Sequence, residues 1–421
     1  MSTDTLEPAT ARSRTGMVRV GLGLLIGTVA YIVPFSASSA VLLPARIAAT
    51  HPDDKVQLLA VLTAAAAVSA LIANVAFGAL SDLTRTRFGA RTPWIVGGAV
   101  VTALLMVPVS RSEGFAELLV WWCLAAGALN ATVAALVAIL PDRVPVSRRA
   151  TLSAVIGVGL LLGTALGTVA GAVFLDDVER GLQVVGVLFV VLAVVAVLVA
   201  PDHPNRGDVA VAPEPRRRVA LRGLAASFRF PREAPDFYWA LWGRLLLVLG
   251  YFMINGFQLY IFTDYVGLDE DATARALGVN SILFLLTALA GAALAGPVSD
   301  RRQRRKPFVI GGSVLAIAAI AIPLAVPTTG GMVGFAAVGG LAFGIYYAVD
   351  AALMSEVLPS HDSRARDLGI LNMANTGGQV LAPAASAALV ALGIGFLPVF
   401  IGAIVVCAAG AACVPPIRSV R

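Results

Sequence analysis

Apolar residues run along this chain in long blocks broken by short polar segments; Val184–Ala200 and Phe308–Val326 are two such blocks. About 18 or more apolar residues are needed to cross roughly 30 Å of hydrocarbon as a helix. Spans of this kind predict helices over 19–43, 56–80, 93–110, 116–140, 150–173, 181–200, 238–263, 273–297, 307–326, 331–357, 368–392 and 395–414. The expected fold class is all-α and membrane-integral, with twelve transmembrane helices. Glycine and proline inside the blocks are ordinary for membrane helices.

Composition reinforces the pattern. Of 421 residues, 58% are hydrophobic and 13% charged, against about 25% charged in a soluble domain. Lys and Arg mark the orientation. With the N-terminus cytoplasmic, 25 of the 31 fall in loops and tails on that side and 5 on the other, so the positive-inside rule puts both termini in the cytoplasm. The first block follows Arg12, Arg14 and Arg19 but is too long for a signal peptide and is read as a retained helix. The expected layout is a cytoplasmic tail (1–18), a six-helix bundle (19–200), a cytoplasmic linker (201–237), a second bundle (238–414) and a cytoplasmic tail (415–421). The linker is rich in Pro and Arg, including Arg216-Arg217-Arg218. An anionic leaflet attracts such a segment, so its charge calls for no nucleic acid.

The two halves repeat. Gly78-Ala79-Leu80-Ser81-Asp82 matches Gly296-Pro297-Val298-Ser299-Asp300 at an offset of 218, and Leu140-Pro141 and Arg148 match Leu358-Pro359 and Arg366 at the same offset. Parallel repeats of this kind place a binding site between the halves near mid-membrane. The stretch from Gly78 through Thr84-Arg85-Thr86-Arg87-Phe88-Gly89-Ala90-Arg91-Thr92-Pro93-Trp94 resembles the loop between helices 2 and 3 of the major facilitator superfamily. Its longer form is similar to the glycoside–pentoside–hexuronide symporters and the sucrose-type transporters. The resemblance implies two six-helix pseudo-repeats, alternating access and a sugar-like substrate. The cation-coupled glycoside symporters carry acids in helices 2 and 4, where this chain has only Asn74, Asn130 and Thr132; sodium is therefore not the expected coupling ion.

An ionisable side chain at membrane depth costs on the order of 2.5–3.5 kcal/mol or more, so each is a functional candidate. Arg244 lies eight residues after Asp236, and Asp350 eight before Leu358. Each is then roughly 12 Å from the cytoplasmic end of its helix. The two could pair and couple protons; the alternatives are a snorkelling Arg244 and a fixed structural Asp350. Tyr31, Asn130, Tyr251, Asn255, Gln258, Asn280, Tyr346, Tyr347, Asn372, Asn375 and Gln379 supply a candidate substrate cavity for a hydroxyl- or amide-bearing solute. Each amide could equally be glue between helices. Asp82, Arg85, Arg87, Gly89, Arg91, Asp300 and Arg301 are candidates for a cytoplasmic gate, Asp82 pairing with Arg85 or Arg91.

No phosphate loop, Ser/His/Asp set or metal-ligand spacing occurs, so neither an enzyme nor a cofactor- or metal-dependent protein is expected. Cys123, Cys407 and Cys413 lie in apolar runs and read as packing residues. The expected function is that of a monomeric secondary transporter in the cytoplasmic membrane. It would move a small polar solute, sugar or glycoside favoured, with protons the candidate coupling ion and the lipid bilayer its surroundings. The alternative is a drug or metabolite exporter of the same superfamily.

Overall fold

A computed structural model describes residues 9–202, 231, 234–302, 304–357 and 364–418. Most of the linker, the extreme termini and Leu358-Pro359 lie outside the described residues, as do the side chains of Asp300, Arg366 and Asn372.

Among the described residues every regular element is helical. Twelve rods follow one another: α1 (Ala9–Ala37, continuing through a π turn, Ser38–Leu42, into Leu43–Thr50), α2 (Lys55–Leu83), α3 (Thr92–Arg111), α4 (Phe115–Arg143), α5 (Val146–Val173), α6 (Val178–Val199), α7 (Pro235–Asn255, extended by Gln258–Tyr260 and a second π turn, Ile261–Tyr265), α8 (Glu270–Arg302), α9 (Lys306–Ala325), α10 (Thr329–Glu356), α11 (Arg364–Val390) and α12 (Leu397–Ala412). Ten are long and apolar enough to cross a membrane. Local chemistry sets their ends. Pro93, Pro235, Pro307 and Pro398 stand in first turns, where a missing N–H costs nothing. Asp177 caps α6 by accepting from the Arg180 N–H at 3.0 Å, and Thr328 caps α10 through Gly331, each satisfying an otherwise orphaned donor.

The exterior is apolar: Leu71, Leu104 and Leu198 are each about two-thirds exposed. In a chain of this hydropathy that surface is the one the bilayer covers. The protein is a multi-pass membrane protein of twelve helices in two pseudo-repeats. By contacts the chain forms two compact units, Met1–Arg46 with Ala65–Asp208, and Ile47–Ala64 with Val209–Arg421. The start of α2 thus groups with the second unit.

Within each unit the same partners recur. In the first, α1 packs on α5 and α6, and α3 on α4 and α6; in the second, α7 packs on α11 and α12, and α9 on α10 and α12. Small residues allow this. Gly163, Gly167 and Gly171 of α5 each meet backbone atoms of α1, and Gly378 of α11 meets the backbone of α7. Close approach through small residues is how helices bind one another where the solvent is hydrocarbon.

Candidate functional site

In the first unit the loop after α2 folds around Arg91, which is buried. Its guanidinium reaches Asp82 at 2.7 Å, Asp142 at the end of α4 at 2.7 Å and the Ser81 hydroxyl at 2.6 Å. Its backbone N–H donates to Asp202, just past α6, at 3.0 Å. One arginine therefore ties together the ends of α2, α3, α4 and α6. Burial opposes its charge, but hydrogen bonds and charge from Asp142 and Asp82 outweigh that and hold its pKa above the ordinary arginine value. Gly89 has φ +88, a left-handed conformation that favours glycine, and a Cβ there would run into the Asp202 carboxylate. Arg85 donates to the Asp82 backbone carbonyl at 2.9 Å, and the exposed Arg87 lies over the Phe88 ring at 4.6 Å. Of the predicted gate residues, Asp82, Arg85, Gly89 and Arg91 thus share one cluster.

The second unit repeats this knot with a shorter loop. Arg305 donates to Ser299 at 3.0 Å and pairs with Glu356 at 3.4 Å. Ser81 and Ser299 differ by 218, but Arg91 and Arg305, and Asp142 and Glu356, differ by 214, because the second loop is four residues shorter. The equivalent of Arg91 is therefore Arg305. Arg301 is exposed.

Deeper in each unit lies a matched small cavity. In the first, a void of about 10 Å³ is bounded by Val20, Gly23, Leu24, Ile95, Leu136, Ile139 and Ala196, together with Arg91, Arg143 and Asp202. In the second, a void of about 10 Å³ is bounded partly by Ala240, Gly243, Arg244, Val309, Asp350, Leu353 and Gly410. Arg91, Arg143 and Asp202 aside, the two sets correspond position by position, at an offset of 220 between α1 and α7 and 214 elsewhere. Leu24 answers to Arg244, and Leu136 to Asp350. Arg244 and Asp350 do pair, Nε to Oδ2 at 3.3 Å, with side chains 10% and 2% exposed. The contact is coulombic: neither Arg244 Nε nor Asp350 Oδ1 makes a hydrogen bond. Tyr346 stands one turn before Asp350 within hydrogen-bonding reach of it. The walls come from α9 and α12 as well as from α7 and α10.

The remaining predicted cavity residues divide. Tyr347 donates to Asn375 Oδ1 at 2.7 Å, joining α10 to α11, and its ring lies 4.1 Å from that of Phe343. Tyr251 packs among Phe284, Phe335 and Phe343, its hydroxyl unpartnered. Asn280 donates to the Met332 carbonyl at 3.2 Å, leaving Oδ1 unpartnered. Gln258 donates to Asn255 at 2.8 Å, bridging the break in α7. Tyr31 packs against an apolar cluster including Ile95 and Phe189. Asn130 receives a 3.4 Å contact from Asn74 and donates to the Ala126 carbonyl. Gln379 is exposed.

Three features escaped sequence reasoning. Asp142, Asp202, Arg305 and Glu356 belong to the charged knots; the signal was present in Arg305-Lys306-Pro307, which echoes Arg91-Thr92-Pro93. Lys55 pairs with Asp264 at 2.7 Å inside the second unit and sits over the Tyr260 ring at 5.2 Å; no spacing joins residues so far apart. The π turns carry no compositional mark.

The geometry can be set beside known proteins. A search of curated proteins found no match to the sequence. Among solved structures, the chain resembles a bacterial homologue of the human lysosomal transporter Spinster in an inward-facing, unoccupied conformation (TM-score 0.69, 15% identity, 97% of each chain covered). The same homologue in its occupied conformation gives a TM-score of 0.66 at 14% identity, again over 97% of each chain. A mutant of the nucleoside transporter NupG gives 0.67 at 16% identity, over 94% of this chain and 99% of that one. At such identities the likeness shows the fold. A family model described as MFS/sugar transport protein matches residues 54–399, most of the length and both charged knots, and the chain belongs to that family of transporters.

Proposed function

We propose that this protein is a proton-coupled secondary transporter that carries a sugar or glycoside across the cytoplasmic membrane by alternating access, without sodium. One observation carries the coupling: a charged pair occupies a cavity whose repeat-mate is filled by Leu24 and Leu136. At the two positions of the pair the other half has the hydrocarbon side chains Leu24 and Leu136, so the fold does not require charge there. Buried ion pairs are rarely better for stability than apolar side chains of similar volume. A pair kept at that disadvantage suits a group that must change protonation. Protonating Asp350 would free Arg244 from its partner, and the unbonded Oδ1 lies beside a void of about 10 Å³, room for about one water that could carry the proton. The two protonation states then bias two conformations, as coupling demands.

The substrate class rests on the family description and on side chains of α7, α8, α10 and α11. Tyr347 with Asn375, the unpartnered Tyr251 hydroxyl and the unpartnered Asn280 oxygen are suited to hydroxyl groups, and the Tyr251–Phe343–Tyr347 rings to the apolar face of a sugar. The charged knots around Arg91 and Arg305 act on turnover and leave substrate contact to these residues. Both termini lie in the cytoplasm, and the unit of function is the monomer.

The test uses reconstituted vesicles with an imposed pH gradient and a sugar panel that includes nucleosides and lipophilic cations. Wild-type protein accumulates a sugar uphill; Asp350→Asn loses accumulation but retains counterflow exchange. Uphill transport by Asp350→Asn at the parental level removes the coupling role. Exclusive transport of lipophilic cations replaces the sugar reading with that of an exporter.

A further inference from the structure

The first unit carries an open groove between α2, α3 and α4. Phe77 and Thr84 of the α2 region, Pro93, Trp94, Gly97, Gly98 and Val101 of α3, and Ala128 and Ala131 of α4 surround a groove of about 360 Å³. The repeat explains its presence. In the second unit, Gly340 and Gly344 of α10 lie against the backbone of α8, so the two helices touch. The position of Gly344 is held in the first unit by Asn130, which meets Asn74 of α2. Two amide side chains thus stand where the other unit has backbone against backbone. Ser69 of α2 still donates to the Cys123 carbonyl of α4 at 2.6 Å, so the helices part only at the amides, and the groove opens beyond them.

Its lining is almost wholly apolar, yet its mouth is not. The Trp94 indole N–H donates to the Thr84 hydroxyl at 2.7 Å, a polar tip on an apolar body of the kind found at membrane interfaces. Thr84 is followed by Arg85 and, two residues on, by Arg87, both exposed. The acids of the knot, Asp82, Asp142 and Asp202, all bond Arg91, which leaves Arg85 and Arg87 as the exposed guanidiniums at the mouth. Exposed Leu83 and Leu104 flank the region with hydrocarbon-facing surface.

We propose that this groove is a binding site for an anionic phospholipid. One acyl chain lies along Gly97, Gly98, Val101, Ala128 and Ala131, and the phosphate is met by Arg85 and Arg87. An apolar slot alone would accept any chain; the paired guanidiniums select headgroup charge. Each arginine near a lipid surface contributes about fivefold in affinity.

The experiment takes full-length protein, delipidated in detergent, and follows thermal stabilisation and native mass spectrometry during titration with dioleoyl phosphatidylglycerol or dioleoyl phosphatidylcholine. A Cβ on Gly97 would meet nothing within 4 Å, so a side chain can start there, and Gly97→Leu extends it into the groove. Wild type is expected to retain and be stabilised by phosphatidylglycerol over phosphatidylcholine. Gly97→Leu, eluting as a monodisperse peak, loses that stabilisation. Arg85→Gln with Arg87→Gln keeps weak binding of both lipids and loses about 25-fold of the preference between them. Equal response of wild type to the two lipids overturns the proposal. So does an unaltered phosphatidylglycerol response in either variant, or equal stabilisation by soluble glycerol phosphate, which has no chain. Transport activity enters none of these readouts, so the result stands apart from the coupling role of Asp350.

Discussion

Arg244 and Asp350 occupy positions that the first unit gives to Leu24 and Leu136, and this exchange sets up a double-mutant cycle. Removing one member of a buried pair strands the other charge, at a cost of about 3–5 kcal/mol. Arg244→Leu and Asp350→Leu should each lower the thermal midpoint of the purified protein severely. The double variant, which copies the chemistry of the first unit, should recover most or all of that loss and still fail to accumulate substrate. A double variant no more stable than the singles would mean that the pair holds the fold. A second prediction at this scale concerns Gly89. Alanine there must adopt a left-handed backbone and displace Asp202, at a cost of about 1–3 kcal/mol for the strain alone. Gly89→Ala should lower the midpoint, and relocating Asp202 by Asp202→Ala should relieve part of the loss. Asp82→Asn, by contrast, should leave equilibrium substrate affinity close to the parental value and change turnover, measured as exchange rate at saturation; lost affinity with unaltered turnover would assign Asp82 to the substrate.

At the scale of elements, legibility followed the length of the hydrophobic signal. Ten of the twelve rods could be read as long apolar runs and α12 as a shorter one, and the loop after α2 because Thr84–Trp94 is a dense local motif. Register within the repeat was harder. The offset of 218 holds through Ser81 and Ser299 but shifts to 214 beyond the shortened second loop, so Leu140-Pro141 and Arg148 match Leu358-Pro359 and Arg366 out of register, and the match of Arg91 with Arg305 emerges only when both are seen bonding a serine and an acid. The pairing of Arg244 with Asp350 was within reach, since both lie at the same depth in their helices. Their enclosure by α9 and α12 was not, because helix-to-helix neighbours depend on rotation about each axis, and an all-round apolar helix carries no moment to fix it. The candidates on α10 divide for the same reason. Tyr346 and Asp350 face the charged cavity, while Tyr347 and Phe343 turn toward α11 and the aromatic group around Tyr251.

At the scale of the molecule, two similar units differ at matched positions, Arg244 and Asp350 of the second against Leu24 and Leu136, and Asn130 of the first against Gly344. Orientation belongs here as well. The excess of Lys and Arg on the loops that carry the charged knots predicts that both termini face the cytoplasm. Reporter fusions at Met1 and Arg421 should both score as cytoplasmic, and an external C-terminus would undo the assignment.

The π turns at Ser38–Leu42 and Ile261–Tyr265 interrupt repeat-equivalent helices near the ends away from the charged knots. The Leu43 N–H reaches back to Ser38, and that of Val266 to Ile261, across five residues instead of four. Such a turn contains one residue more than an α-turn between the same points, and every side chain beyond it is rotated by about 100°. Deleting one codon within 38–42 would therefore let α1 run on as unbroken α-helix and swing Arg46 away from the Ser112 carbonyl that it now binds. The same lesion in 261–265 would turn Tyr265 from the Pro323 carbonyl. Substitutions in either segment should be borne far better than single-residue deletions, so a deletion scan with a growth or expression readout would find both turns where an alanine scan passes over them.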